Sequence, residues 1–379
     1  MDPRIREHAE IVADHSTGIE AGENVVIAMP REAEELAVAL HEVVGDRGAN
    51  PVYLNNSERA SRAFLRARAD RDGADEEGNG SKDEDREAFD TPAHQLALYE
   101  ESDVVVVARG GANVSEQSDV APETTAAYRR AMQPVLKERL SKRWCLTQFP
   151  TSGHAQLAGM STEAYENFVW DAVSLDWDAQ REHQAEMVEI LDDADEVRIR
   201  SGEETDVTMS VAGNTTLNDY GEKNLPGGEV FTAPVKDSVE GEVHFDMPLY
   251  RQGREIEEVR VRFEGGRVES YSAERNEDVL DGVFETDEGA RFLGELGIGM
   301  NRSIDQFTYN MLFDEKMGDT VHMAVGAAYE ECVGDENEAN ESAEHVDMIV
   351  DMSEDSVIEV DGEVVQRDGT FRFEDGFEG

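Results

Sequence analysis

The chain is poor in basic residues. Of its 379 residues only 34 are Lys or Arg, against 86 Asp or Glu, and the formal net charge is -52. Proteins bind nucleic acids and anionic membranes through basic surfaces. A chain with so negative a field lacks such a surface, so we expect neither nucleic acid nor membrane as a partner.

Cysteine and long apolar runs are scarce as well. The two cysteines, Cys145 and Cys332, lie far apart in the sequence, which disfavours a disulfide framework and predicts two small buried apolar residues. No apolar run reaches the roughly 18 residues that a membrane helix needs. The first residues, MDPRIREHAEIV, predict an amphipathic helix rather than a signal peptide. We therefore expect a soluble, cytoplasmic protein.

The excess of acid is spread over the whole chain rather than confined to a tail. Such self-repulsion destabilises a compact protein in dilute buffer. At molar salt the Debye length falls to about 3 Å, so most of the repulsion is screened. The composition therefore predicts a halophilic protein, and the 39% of apolar residues are enough to form a core.

Two regions with different residue patterns divide the chain. Up to about residue 190, Val- and Ile-rich runs such as SDVVVVARG alternate with helical stretches such as REAEELAVALHEVVGDRG, an order typical of a parallel sheet covered by helices. From Glu196 onward, alternating runs separated by Gly or Asp-Gly turns predict strands. The sequence thus predicts an α/β protein with an N-terminal α/β domain at 1–190 and a β-rich α+β domain at 191–379.

A strongly polar stretch interrupts the first of these regions. Residues 70–87 read DRDGADEEGNGSKDEDRE and contain almost nothing apolar. Such a composition cannot bury enough surface to order itself. It predicts an acidic, flexible insertion without a chemical role.

Glu295 and His322 stand out because of their apolar surroundings. Glu295 lies in FLGELGIGMN, one of the least polar stretches of the chain, and a carboxylate is rarely buried unless it is paired or bound to a metal. His322 lies in the strand-like run DTVHMAVGAAY, with small residues on its own face. A single histidine in a strand is more often a hydrogen-bonded core residue than a ligand. Its interpretation therefore depends on whether partners converge on it.

His345, Asp347 and Glu229 complete the set. In a strand the residues i and i+2 point to the same face, so the side chains of His345 and Asp347 would project side by side. Glu229 follows the Pro-Gly-Gly turn of NLPGGEVFTAP and begins an apolar strand. Each feature alone is weak, and a solvated acid or an ordinary strand is the simpler interpretation. Together, two Glu, two His and one Asp are the residues expected of a two-metal hydrolytic site.

Other residues carry less weight. His244 and Asp246 show the same spacing as His345 and Asp347, which indicates how often it arises by chance in so acidic a chain. Glu315 is a weak candidate for a general base or for an acid that supports the ligands. Tyr329 could donate its hydroxyl to a developing oxyanion, or be a half-buried structural residue.

The motifs together resemble those of the aminopeptidase T family of metallopeptidases. The similarity extends over nearly the whole chain and is most specific in GGEVFTAP, GELGIGMN, FDEKMGDTVHMAVGAAY and SAEHVDM. The family usually has a bulky apolar residue before the second histidine and often Trp after it. Glu344 and Val346 occupy these positions here, and the insertion at 70–87 is a further departure.

This resemblance implies a metallo-aminopeptidase that is usually a homodimer and removes the N-terminal residue of peptides. It implies two divalent metal ions, for which zinc, cobalt and manganese all suit the ligands. Motif by motif, the implied metal ligands are Glu229, Glu295, His322, His345 and Asp347, and Tyr329 matches the active-site tyrosine of the family.

The mechanistic hypothesis has one carboxylate, that of Glu295, bridging two ions that share an activated water. One ion polarises the scissile carbonyl and the other holds the free α-amine of the peptide. Two other classes stay open: a non-catalytic peptide- or metal-binding protein, and another dinuclear hydrolase such as an amidase. A phosphoesterase is disfavoured because no cluster of basic residues lies near the ligands in sequence, and Lys316 alone would compensate the charge of a phosphate poorly.

Overall fold

The computed structural model describes residues 2–77, 89–251 and 253–379. Within these residues every helix is too short or too polar to span a membrane. The chain forms two compact units, of which the first comprises Met1–Ser174 with Glu222–Leu225 and the second comprises Leu175–Gly221 with Pro226–Gly379. Both cysteines are buried, as the sequence predicted.

The secondary structure of the described residues runs as follows. The strands are β1 (Asn24–Met29), β2 (Asn50–Asn55), β3 (Val104–Arg109), β4 (Arg143–Gln148), β5 (Glu196–Ser201), β6 (Thr205–Ser210), β7 (Leu217–Asp219), β8 (Asn224–Leu225), β9 (Glu229–Thr232), β10 (Glu240–Phe245), β11 (Leu249–Arg251), β12 (Arg254–Ile256), β13 (Val259–Glu264), β14 (Arg267–Ser272), β15 (Leu293–Gly299), β16 (Thr320–Gly326), β17 (His345–Asp351), β18 (Ser356–Val360), β19 (Glu363–Arg367) and β20 (Thr370–Phe371). The helices are α1 (Pro3–Glu10), α2 (Glu34–Asp46), α3 (Glu58–Glu77), α4 (Ala93–Glu100), α5 (Pro122–Leu140), α6 (Ser152–Leu157), α7 (Thr162–Val173), α8 (Trp177–Asp192), α9 (Glu277–Phe284) and α10 (Met311–Asp314), with 3-10 turns at Arg31–Ala33, Gly289–Arg291 and Glu330–Cys332 and a π-helical turn at Ile11–Ser16.

The N-terminal unit contains a five-stranded parallel sheet in the order β2-β1-β3-β4-β8. Its Val-rich strands β1 and β3 are buried over most of their length, as expected for parallel strands covered on both faces. Helix α2 buries Leu36, Leu40 and Val43, which share one face at helical spacing. Helix α1 begins as predicted, with Pro3 in its first turn and the Asp2 carboxylate accepting a hydrogen bond from the Arg4 amide.

The predicted domain boundary near residue 190 lies inside helix α8, whereas the two units divide at Ser174. Helix α8 belongs with the second unit because Gln184 is completely buried there and its amide donates to Asn218 and to the carbonyl oxygens of Asp219 and Glu229. The structure also differs at the acidic segment 70–87. Helix α3 continues as far as Glu77, and the rest of that segment lies outside the described residues.

His8 gives the N-terminal unit a testable pH dependence. Its ring is fully buried against Thr147, with 2.8 Å between Nε2 and Oγ1, and burial lowers the pKa of His8 to about 3. The unfolded chain, with a His pKa of about 6.5, takes up the proton first. The neutral ring of His8 therefore makes its full contribution to the free energy of unfolding above about pH 6.5. This contribution is lost as the pH falls towards about 3, by up to about 1.4 kcal/mol per pH unit.

We expect urea unfolding between pH 7 and pH 4.5 to detect this loss in the wild type and a smaller loss in His8→Gln. The comparison cancels the titration of the many carboxylates, which both proteins share. Parallel pH dependences in the two proteins would contradict the prediction.

The second unit is built on two large antiparallel sheets. One has eight strands in the order β14-β13-β10-β6-β5-β18-β19-β20, and the other has five in the order β17-β16-β15-β9-β7. Strands β15 and β16 lie inside the five-stranded sheet, and every residue of both is buried. Apolar residues of both sheets, among them Val243, Leu296 and Met323, belong to one continuous hydrophobic core.

Candidate metal centre

The five predicted ligands come from four neighbouring strands of the five-stranded sheet. Ala324 on β16 lies opposite both Glu295 on β15 and Asp347 on β17. Residues directly opposite each other share a face, and so do residues two apart on one strand. By the same pairing His322 lies opposite Gly297, His345 opposite Gly326, and Glu229 opposite Gly299. All five side chains therefore project from one face of the sheet.

Small residues on this face make room for the rings. A Cβ atom added to Gly297 would lie 2.0 Å from Nε2 of His322. The imidazole therefore lies over the bare backbone of the next strand, a position that any larger residue at 297 would block. Gly297, the middle glycine of GELGIGMN, thus leaves the space that the ring of His322 occupies.

The side chains form two groups that share Glu295. In the first group, Nε2 of His322 lies 3.2 Å from Oε1 of Glu295 and 3.3 Å from Oε2 of Glu229. In the second group, Nε2 of His345 lies 3.4 Å from Oε2 of Glu295 and 3.6 Å from Oδ1 of Asp347. Within each group the possible ligand atoms lie within 4.8 Å of one another. The two oxygens of Glu295 thus face different groups, as a bridging carboxylate would require.

The residues fit divalent metal ions. Glu229 and Glu295 are each only 5% exposed, and the Oε2 atom of each is buried without a hydrogen-bond partner. An ionised carboxylate is rarely buried in this way unless a cation neutralises it. Carboxylate oxygens and imidazole nitrogens are the donors that zinc, cobalt and manganese accept.

The orientation of His345 is fixed by the backbone. Its Nδ1 donates a hydrogen bond to the carbonyl oxygen of Ala327 at 2.8 Å, which leaves Nε2 facing the carboxylates. Metal-binding histidines are commonly held by such a second hydrogen bond. Once a metal displaces the proton on Nε2, this hydrogen bond would hold His345 in the tautomer that a ligand needs.

Two effects set the pKa values of the side chains in this site: their burial, and the negative charge of the neighbouring carboxylates. Burial lowers the pKa of His322, but Glu295, Glu229 and Asp347 outweigh it and raise the pKa to about 9. For His345 burial is outweighed by Asp347 and Glu295, and its pKa rises to about 10. Burial raises the pKa of Glu229 to about 8, against the pull of Lys316. The field at this face is therefore one that attracts cations, and a bound cation would displace the protons.

The other candidate residues have distinct locations. The ring of Tyr329 packs against those of His345 and Phe231, with centroids 5.2 and 5.7 Å away, and 48% of the residue is exposed. Burial near its hydroxyl and the carboxylates of the site raise the pKa of Tyr329 above its usual value. His244 lies on the other large sheet, where its ring nitrogens contact Glu204 and Glu258.

The sequence did not predict the burial of Lys316. This residue is fully buried and contacts both Glu229 and Glu315. No local pattern in FDEKMG distinguishes it from a solvated lysine, because Asp314 and Glu315 directly precede it. Glu315, the proposed general base, is thus the neighbour of a buried cation.

Comparisons with known proteins identify a family and relatives of this chain. The family model described as thermophilic metalloprotease (M29) matches residues 1–371. Aminopeptidase AmpS of Bacillus subtilis (strain 168) is 36% identical over 201 residues, which cover 45% of this chain and 48% of that protein. Aminopeptidase T of Thermus aquaticus is 28% identical, covering 96% of this chain and 94% of that protein.

A solved structure matches the fold. Wild-type AmpT from Thermus thermophilus superposes with a TM-score of 0.81, over 98% of this chain and 99% of that chain, at 24% sequence identity. The predicted fold class, with a parallel α/β unit followed by a β-rich unit, is therefore confirmed.

Proposed function

This chain belongs to the thermophilic metalloprotease family (M29), and on that premise we propose that it is a metal-dependent aminopeptidase. It hydrolyses the bond after the N-terminal residue of a peptide. Relatives that match nearly the whole chain are named aminopeptidases. The observation that carries the proposal is the sharing of Glu295 by two groups of buried ligands.

The roles of the residues follow from their positions. Glu229 and His322 would hold one divalent ion, His345 and Asp347 a second, and Glu295 would contribute one oxygen to each. When bound, such ions acidify a water molecule and polarise the scissile carbonyl. Zinc, cobalt and manganese suit the donors equally.

Two further side chains act on the substrate in this proposal. Tyr329 keeps its hydroxyl proton at neutral pH like any tyrosine, and burial and the nearby carboxylates raise its pKa further, so it can donate a hydrogen bond to the oxyanion. Glu315 is the proposed proton acceptor, and its side chain is partly exposed beside the buried ammonium of Lys316.

The substrate is a peptide with a free N-terminus. Its α-ammonium is a cation, and the face that carries the ligands is strongly negative, so the N-terminal end of a peptide is attracted there. We further propose a cytoplasmic homodimer that works at high salt. The net charge of -52 supports the salt requirement, and the family resemblance supports the dimer.

The test is the hydrolysis of an aminoacyl chromogenic substrate at molar KCl before and after chelation. We expect activity to disappear with the metal and to return on addition of Zn²⁺, Co²⁺ or Mn²⁺, because the ligands alone have no means of activating water. The N-acetylated substrate is the matched control and is expected to resist cleavage. Activity that survives complete metal removal would overturn the proposal, and metal binding without turnover would favour a non-catalytic binding protein.

A further inference from the structure

Lys316 is a buried cation that the proposed chemistry does not use. It follows helix α10 and has no exposed surface. Its backbone is fixed, since its amide donates to the carbonyl of Phe313 and its carbonyl accepts from the amide of Asn301. Burying an ammonium is costly unless carboxylates surround it, so its neighbours indicate what it is for.

Three carboxylates lie around the ammonium. Nζ lies 2.9 Å from Oε1 of Glu229 and 3.7 Å from Oδ2 of Asp219, and it contacts Oε1 of Glu315 directly. Lys316 is thus a buried basic side chain on which three acidic side chains converge.

The contact with Lys316 divides the two oxygens of Glu229. Oε1 lies 2.9 Å from the ammonium nitrogen, while Oε2 lies 3.3 Å from Nε2 of His322 and has no hydrogen-bond partner. The backbone of the same residue is held as well, because Gln184 donates to its carbonyl oxygen at 2.9 Å. Glu229 is thus fixed from two sides, with one oxygen left to face the other ligands.

The second group of ligands has no such cation. Within the residues that the structure describes, the charged partners of Asp347 and Glu295 within 4 Å are the histidines of the site. The two groups of ligands therefore differ in what holds their side chains in place. One includes a carboxylate held by a buried lysine, and the other is oriented by the hydrogen bond of His345 to the backbone.

We propose that Lys316 is a positioning residue that holds Glu229 in place and directs its Oε2 atom towards His322 and Glu295, so that the ion of this group depends on Lys316 and the ion of the Glu295–His345–Asp347 group does not. This inference rests on the proposed function, since it concerns the same site.

The test measures Co²⁺ binding, by titration and by the visible absorption spectrum, at molar KCl. We expect two ions in the wild type. In Lys316→Met one ion should bind about 10- to 100-fold more weakly, the usual consequence of removing a residue that orients a ligand, with a change in the spectrum. The matched control is Lys142→Met, which removes a lysine paired with Glu138 in the N-terminal unit and should keep both ions.

A double-mutant cycle identifies the residue through which Lys316 acts. If it acts through Glu229, Lys316→Met should cause no further loss of affinity in a Glu229→Gln background. Additive losses would overturn the proposal, and so would equal Co²⁺ affinities in the wild type and Lys316→Met. Lys316→Gln keeps a donor without the charge, and its affinity should fall between the two.

Folding is monitored by circular dichroism in the same salt. If neither Lys316→Met nor Lys316→Gln reaches the wild-type spectrum, the proposal is overturned, because the lysine would then be required for the fold itself. A wild type that binds no Co²⁺ would instead overturn the metal centre as a whole. The two failures are therefore distinguishable.

Discussion

Replacing Glu295 by Gln is expected to remove both metal ions and to lower kcat/KM by at least about 10³-fold, since a metal-assisted step supplies several kcal/mol and each 1.4 kcal/mol is tenfold. Glu295 is the residue common to both groups of ligands. The amide is nearly the same size as the carboxylate but carries no charge and is a poor bridging ligand. Metal content after dialysis and hydrolysis of an aminoacyl substrate measure the effect.

The matched control is Glu359→Gln, which neutralises a partly buried carboxylate on strand β18 that pairs with Arg200. It removes the same charge from the other large sheet and should leave both ions bound. The comparison excludes a general effect of net charge. Retention of both ions by Glu295→Gln would contradict the shared-ligand arrangement.

Gly297→Ala is expected to displace the ring of His322 and to abolish activity. The new Cβ would lie 2.0 Å from Nε2 and 2.0 Å from Cε1 of His322. The ring has to leave its position between Glu229 and Glu295, so the first group of ligands is lost and activity with it. Overpacking of this kind also costs roughly 1–3 kcal/mol of stability. Unfolding midpoints and metal content are measured on the same preparation.

Gly282→Ala provides the control for this substitution. Gly282 lies within helix α9, and a Cβ added there meets no atom within 4 Å. The change should stabilise the protein by about 0.5–1 kcal/mol, because glycine is a poor residue for a helix interior. Equal effects of the two substitutions would show that crowding of His322 is not the cause.

The sequence located the candidate ligands because their context was unusual. Glu295 lies in an apolar, glycine-rich stretch, and in the structure it is buried in the interior strand β15. The spacing of His345 and Asp347 predicts one face of a strand, which β17 provides. What sequence could not decide was whether four separate strands would be neighbours, because that depends on pairing between residues as far apart as Glu229 and Gly299.

The predicted boundary near residue 190 differs from the division at Ser174 for another reason. Helix α8 has the same amphipathic pattern as the helices before it, so the sequence assigned it to the N-terminal domain. In the structure Gln184 of this helix makes buried contacts with residues of the second unit. No local pattern carries that information, and the same holds for the burial of Lys316, which depends on Asp219 and Glu229 from distant strands.

The register of strands β16 and β17 has a consequence for folding. His345, Asp347 and His322 face the ligand side only while Gly326 stays opposite His345 and Ala324 opposite Asp347. A slip of one residue would turn every side chain of one strand to the other side of the sheet. A cation that binds only the correct pairing stabilises it by mass action. Metal binding would then favour the native strand register over registers that are shifted by one residue.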